Sequence, residues 1–464
     1  MTIWVPHLAG RSGPKYLAIA DAIAESISDG SLAAGCKLPP QRNLAYDLGV
    51  TLGTVTRAYK EAEQRGLVGG EVGRGTYVLG PASDAVARFA SSPRRGDNFL
   101  DLTHATPVAG IGGDALARTL REISSESGLE ALIAYQGNTG LDRHLRTGAQ
   151  WLAGMDLPNP VPERVAITCG AQQGILTALM TLTRPGDVLL AEAFSYPGFI
   201  YLAGQLGLKL EPVPMDADGI IPEALDEACR RLHPRAIYLT PTLQNPTTAL
   251  LPEDRRRRVA EIARRHDLFI MEDDVWGSMF EGRPTPIAAL APERTFFITS
   301  LSKSMAGGLR VGFVYAPADY VERLRSSVRM SNWMAPPLMV EIAHRWITGD
   351  VAQEMTRRQR QETETRTALC ARHLGPFHPR IRARAHFLWL DLPAPWRAND
   401  FQAEAEERGI LLHTIEAFAV GRQPAPHAVR IGLGGAMNMD ELERALVRLA
   451  DQLRAPPGLA PEMM

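Results

Sequence analysis

Between residues 165 and 315, six short apolar runs (165–169, 188–192, 237–240, 268–272, 296–299 and 311–315) alternate with stretches of helical periodicity. A strand buried on both faces reads as a continuous apolar run, and a helix between two such runs lets the second lie parallel to the first. The alternation therefore predicts an α/β fold with a mostly parallel sheet and reactive groups at strand ends. At 464 residues the chain is too long for one ordinary small domain and has room for two or three. Its 45% hydrophobic and 22% charged residues are those of a globular protein. No run of about 18 apolar residues appears, and the N-terminus lacks the basic-then-apolar build of a signal peptide. A cytoplasmic location with no membrane partner is expected. Cys36, Cys169, Cys229 and Cys370 are scattered without C-x-x-C spacing, so neither a disulfide framework nor a metal site is expected.

The chemistry concentrates in residues 300–312, SLSKSMAGGLRVG. Lys303 sits just past an apolar run, with hydroxyls at Ser300 and Ser302, two glycines, and a planar cation at Arg310. An amine, two hydroxyls and a guanidinium this close suit a Schiff base to an aldehyde cofactor whose phosphate is held alongside, which fits pyridoxal 5′-phosphate. Most isolated S-K pairs are exposed lysines in Ser/Gly loops, so the other residues must decide. Lysine is scarce: Lys15, Lys37, Lys60, Lys209 and Lys303 are the only five, and one alone lies in the C-terminal half. The S-x-S-K run followed by G-x-R-x-G resembles the Schiff-base motif of the fold-type I aminotransferases of class I/II.

Gly170, Ala171 and Gln172 follow one apolar run and open a helix, where free backbone amides receive a phosphate. The resemblance implies further roles. Tyr196, in FSYPG, matches the aromatic ring that stacks on the pyridine. Asn245, in QNPTTAL, matches the asparagine that bonds the ring hydroxyl, with Thr248 where the family has glycine. Asp273, in MEDDVWG, matches the acid that pairs with the pyridine nitrogen, and Val275 and Trp276 stand where a tyrosine is usual. Tyr135 matches a tyrosine that reaches the neighbouring subunit's phosphate, which implies a homodimer. Arg430, in AVRIGLGG, matches the arginine that holds a substrate α-carboxylate.

The first eighty residues read differently. Tyr16, Ile19, Ala20, Ile23, Ala24 and Ile27 recur at helical spacing; Pro39 and Pro40 then suit a helix start, Gly49 a break, and Thr51 a cap for a further helix. The run 73–78, GRGTYV, reads as a hairpin wing tipped by Arg74. Residues 51–60 hold Arg57 and Lys60 and no acid, a local basic face suited to phosphates. This pattern resembles the GntR class of winged helix-turn-helix regulators, which implies DNA contacts by Arg42, Thr51, Thr54, Arg57 and Arg74. The four arginines in EDRRRRVAEIARRH, 253–266, read instead as the solvated face of a helix whose buried stripe is Val259, Ile262 and Ala263.

The expected division is 1–80 as the DNA-binding domain, 81–98 as a linker, and 99–464 as the cofactor domain, with a smaller α+β lobe from about 332. A GntR-type head on an aminotransferase-like body resembles the MocR subgroup of bacterial regulators. That implies a transcription factor holding pyridoxal phosphate on Lys303 and sensing a small amine, amino acid or B6 vitamer. The alternative is a working aminotransferase that carries a DNA-binding head.

Overall fold

A computed structural model of the chain describes residues 4–6, 8, 14–29, 31–32, 36–64, 67–71, 75–78, 99–137, 140–421, 426–435 and 437–455. The wing tip Arg74 and the expected linker 81–98 lie outside these residues.

The head is built from α1 (Lys15–Ser28), α2 (Gln41–Asp47), α3 (Leu52–Gln64) and a hairpin of β1 (Val68–Glu71) and β2 (Gly75–Val78). Ile19, Ile23, Leu44, Val55, Ala58 and Val68 close a single core. Thr51 caps α3, its hydroxyl accepting from the Thr54 N–H at 3.2 Å. The Tyr59 hydroxyl donates to the Pro39 carbonyl at 2.8 Å and the Thr56 hydroxyl to Gln41 Oε1 at 2.7 Å. These two bonds tie α3 to the entry of α2 and set the angle between the helices.

The body is organised by β3 (Val165–Thr168), β4 (Val188–Glu192), β5 (Lys209–Val213), β6 (Ala236–Leu239), β7 (Phe269–Asp273), β8 (Thr295–Ser300) and β9 (Gly312–Tyr315). They form one sheet in the order β3-β9-β8-β7-β6-β4-β5. Pairing is parallel except that β9 runs antiparallel to both β8 and β3. The loop from β8 to β9 holds only one turn of 3-10 helix, too little for a parallel crossover, so the chain reverses and presents Lys303 at the sheet's end. The six expected strands are present with ends shifted by at most a residue or so. The seventh, β5, went unread because its apolar pattern is broken: only Val213 is fully buried, Lys209 opens it and Pro212 interrupts it.

Helix Ala171–Leu182 covers one face of the sheet, packing Ala178 and Leu179 with Met271, Phe296 and Ile298. Helix Glu253–Arg265 covers the other, packing Val259, Ala260 and Ala263 with Ile237, Leu239 and Ile270. Each large aliphatic side chain so buried contributes about 1.5–3 kcal/mol. Three of the four consecutive arginines do face outward, Arg255, Arg257 and Arg258 pairing with Asp216, Glu253 and Glu223. Arg256 departs from that reading, being completely buried.

In the C-terminal lobe, β10 (Phe387–Asp391), β11 (His413–Thr414) and β12 (Ala428–Gly432) form an antiparallel sheet ordered β10-β12-β11. Leu388, Val429 and Ile431 pack against Leu369 and Cys370 of helix Val351–Leu374 and Leu446 and Leu449 of helix Met439–Arg454. Among the described residues, no helix is long and apolar enough to cross a membrane.

Candidate functional site

The carboxyl ends of β3, β4, β6, β7 and β8 converge on one pocket, so residues far apart in sequence meet there. The Lys303 amine donates to the Ala105 carbonyl at 2.6 Å and lies 4.7 Å from the centre of the Trp276 ring. Burial, reinforced by the Arg430 charge, pushes its pKa down to about 8, against the pull of Asp273. Asp273 ends β7 fully enclosed. Its Oδ2 accepts from the Tyr238 hydroxyl at 2.6 Å, while Oδ1 has no hydrogen-bond partner. Burial raises this carboxyl to about 6 even though the Tyr238 bond favours its charged form.

Arg430 stands on the β12 side of the pocket and is 2% exposed. It donates to Asn245 Oδ1 at 3.0 Å and to the Thr103 carbonyl, between the rings of Phe418 and Phe387 at 4.7 and 5.6 Å. Its Nε has no partner, and burial pushes its pKa down to about 9. A buried guanidinium whose bonded partners are neutral oxygens is held at a cost that a carboxylate would relieve. Tyr196, at the start of helix Pro197–Gln205, is partly buried, and its phenol pKa is raised by burial and then by Asp273.

A second wall lies at the start of helix Ala171–Leu182. Its first amides have no partner within the helix. Arg310 donates to the Cys169 carbonyl at 3.1 Å, which brings its guanidinium over this turn. Gly170 has φ +76°, and a Cβ there would fall 2.9 Å from the Arg310 guanidinium. A Cβ on Gly312 would strike the Gly170 backbone at 2.8 Å, so the final glycine of the G-x-R-x-G run is needed for close approach. Ser300 is buried, its hydroxyl accepting from the Ser302 N–H at 3.4 Å, and Ser302 is partly buried.

Lys303, Asp273, Arg430, Tyr196 and Arg310 feel one another's charge and Asn245 is bonded to Arg430, so these six meet; Ala171 and Gln172 open the neighbouring helix, and Ser300 and Ser302 flank the lysine in its loop. Tyr135 does not join them: it is 82% exposed, its ring edge-on to Trp333 at 5.6 Å. Thr248 keeps the turn that glycine usually makes, at φ +63°, with its N–H donating to the Gln244 carbonyl at 2.8 Å. Trp276 meets the Lys303 amine with its ring face. Sequence reasoning missed Tyr238, a lone polar side chain in a buried strand, and His386, whose ring lies 5.1 Å from that of Trp276. Both ring nitrogens of His386 lack partners, and burial holds its pKa down to about 3.

In the head, Arg42, Thr51 and Arg57 are exposed and Thr54 is half-buried. The Thr51 and Thr54 hydroxyls are 2.8 Å apart, and the Arg57 guanidinium lies 4.6 Å from the centre of the Tyr16 ring.

A lysine past a central strand, an acid ending the next strand and a guanidinium over a helix start define the body as a fold-type I transferase domain. The profile of the family "Aminotransferase class I and II" matches residues 53–449, and that of "Bacterial regulatory proteins, gntR family" matches residues 15–78. The uncharacterized HTH-type transcriptional regulator YdeF of Bacillus subtilis is 29% identical over 97% of both chains. The probable rhizopine catabolism regulatory protein MocR of Rhizobium meliloti is 29% identical over 78% of both. A crystal structure of Pyrococcus horikoshii kynurenine aminotransferase in complex with PMP shares the fold at TM-score 0.73 and 20% identity, covering 81% of this chain and 95% of that one. The chain belongs to the class I and II aminotransferase family, and its GntR head makes it a GntR-type regulator of the MocR kind. The cofactor of the body is pyridoxal 5′-phosphate. The pocket fits such a group by its own chemistry: an amine of lowered basicity, an unpaired carboxylate oxygen, and amides joined by a guanidinium.

Proposed function

We propose that the chain is a cytoplasmic, homodimeric transcriptional regulator that carries pyridoxal phosphate as a Schiff base on Lys303 and senses a small amine, amino acid or B6 vitamer. The observation that carries this reading is a pair of buried charged groups each with one unsatisfied atom: Arg430 with its Nε unpaired, and Asp273 with Oδ1 unpaired. Asp273 would pair with the protonated ring nitrogen, Asn245 with the ring hydroxyl, and Tyr196 would stack against the ring. Ala171, Gln172, Ser300, Ser302 and Arg310 take the phosphate. Arg430 takes the effector's carboxylate in a two-pronged bond. When bound, the cofactor supplies an aldehyde that exchanges one amine for another.

Lys303, with its pKa lowered to about 8, gives up its proton far more readily near neutral pH than an ordinary lysine, as an amine that is to bond an aldehyde must. Its release rearranges the pocket, and such a local change biases the arrangement of the heads. Arg42, Thr51, Thr54, Arg57 and Arg74 contact DNA. Ile133, Tyr135, Met330 and Trp333 are exposed large apolar side chains, which supports burial against a second copy whose phosphate Tyr135 reaches.

The same lowered amine pKa favours a second reading, a working aminotransferase in which Lys303 is the base. Single-turnover measurement beside an operator-binding assay decides between them. The regulator reading expects a long-lived amine adduct and changed affinity for the chain's own upstream DNA. Rapid recycling with a keto acid, and DNA affinity indifferent to amines, would instead establish the enzyme.

A further inference from the structure

The start of helix Ala171–Leu182 is braced from outside its own turn. Gln173, 9% exposed, accepts the Cys169 N–H on Oε1 at 2.5 Å. Its Nε2 donates to the Ser331 hydroxyl at 2.9 Å and to Asn332 Oδ1. Asn332 donates its own side-chain amide to Cys169 Sγ at 2.9 Å. Cys169 is also the residue whose carbonyl receives Arg310. Both walls of the phosphate cradle therefore hang on Cys169, and Cys169 hangs on Gln173 and Asn332.

The far end of this brace is under strain. Trp333 has φ +73° and ψ −60°, and the Met334 N–H donates to the Asn332 carbonyl at 2.9 Å. That is the strained three-residue turn, which costs a non-glycine residue about 1–3 kcal/mol and persists only where its surroundings hold it. The bonds from Gln173 and Cys169 to Asn332 are such a hold. The turn also meets the segment of Tyr135, because Trp333 packs on that ring and the Gln136 N–H donates to Met334 Sδ at 3.4 Å.

We propose that Gln173 and Asn332 are positioning residues of the phosphate cradle: leaning on the Trp333 turn, they fix residues 169–171 so that the helix amides and Arg310 converge on one phosphate. The proposal rests on the phosphate assignment made above. Neither side chain need touch the phosphate, since both act through Cys169. The Tyr135 surface and the cradle then share one support, so a change at either is felt at the other.

The test titrates the full-length protein with pyridoxal 5′-phosphate and, separately, with pyridoxal, which lacks the phosphate, reading the absorbance of the lysine-bound aldehyde. Gln173→Met keeps the volume and loses the bonds; Asn332→Ala removes its bonds from an exposed position, with little risk to folding. Each variant is expected to bind pyridoxal 5′-phosphate about tenfold more weakly, as one or two hydrogen bonds are lost, with pyridoxal within about twofold of wild type. Equal weakening of both ligands, or no weakening of either, overturns the proposal while leaving the phosphate assignment standing. A wild-type protein that binds the two ligands equally overturns that assignment and this proposal with it.

Discussion

Glu272 and Asp273 are consecutive on β7 and both buried, yet the two carboxylates keep opposite company. Strand alternation sends Glu272 to the face of Leu268 and Ile270, and Asp273 to the face of Phe269 and Met271. Glu272 accepts the N–H groups of Ile287 at 3.0 Å and Ala288 at 2.7 Å, and its Oε1 lies 3.8 Å from Arg256. Arg256 in turn donates to the carbonyls of Leu251 and Pro241, each at 2.9 Å, and to the Thr242 hydroxyl at 3.0 Å. Burial raises Glu272 to about 7 against the pull of Arg256, yet both its oxygens are bonded within the fold. Asp273, by contrast, has one protein bond and one orphaned oxygen, and Arg430 across the pocket has an orphaned Nε. Orphaned charged atoms occur elsewhere too, at Arg325 Nε and Arg366 Nε, but those of Asp273 and Arg430 stand on either side of the Lys303 amine, where a ligand would complete them.

Breaking the contrast is the most direct challenge to it. Arg256→Met is expected to cost about 3–5 kcal/mol in urea unfolding, because it strands Glu272. Asp273→Asn should shift the same unfolding curve by less than about 1 kcal/mol. Equal losses at the two sites would erase the distinction. Next in size, Arg430→Leu is expected to weaken binding of a carboxylate-bearing amine by about 2–3 kcal/mol, and that of an amine without a carboxylate hardly at all, by calorimetry.

His386 sharpens the comparison through pH. Its folded pKa of about 3 lies below the unfolded value of about 6.5, so the unfolded chain takes up the proton first as pH falls. Its contribution is whole above about pH 6.5 and is lost progressively toward pH 3. Glu192, raised to about 7, works in the opposite direction, so the histidine is isolated by comparing variants. The stability advantage of His386→Met over wild type should grow by about 1 kcal/mol between pH 6.5 and 5.5 in denaturant midpoints. A constant difference would mean that the imidazole already has a partner. Smallest of the four, Thr248→Gly should raise stability by about 1 kcal/mol or less in thermal unfolding, by relieving a β-branched residue at φ +63°.

Much of this was legible in the sequence, and what was not has physical reasons. Strands buried on both faces write themselves as apolar runs, so six strands of the central sheet could be read, while the edge strand with Lys209 and Pro212 could not. Lys303, Arg310 and Gly170 lie in motifs whose spacing carries their chemistry. Tyr238, Ala105 and Gln173 reach the pocket or its support only through the fold, and no local pattern announces them. In the smaller lobe the strand Phe387–Asp391 begins only after Arg384, whose φ of +67° a strand cannot hold. Two helices precede it, Pro337–Thr348 and Val351–Leu374, parted at Gly349.

The central claim is that one amine holds the cofactor. Borohydride reduction of the full-length protein after addition of pyridoxal 5′-phosphate, followed by peptide mapping, tests it directly. The expected result is a single labelled peptide carrying Lys303 and none from Lys303→Ala. A label on another lysine, or equal labelling of the variant, would contradict the account.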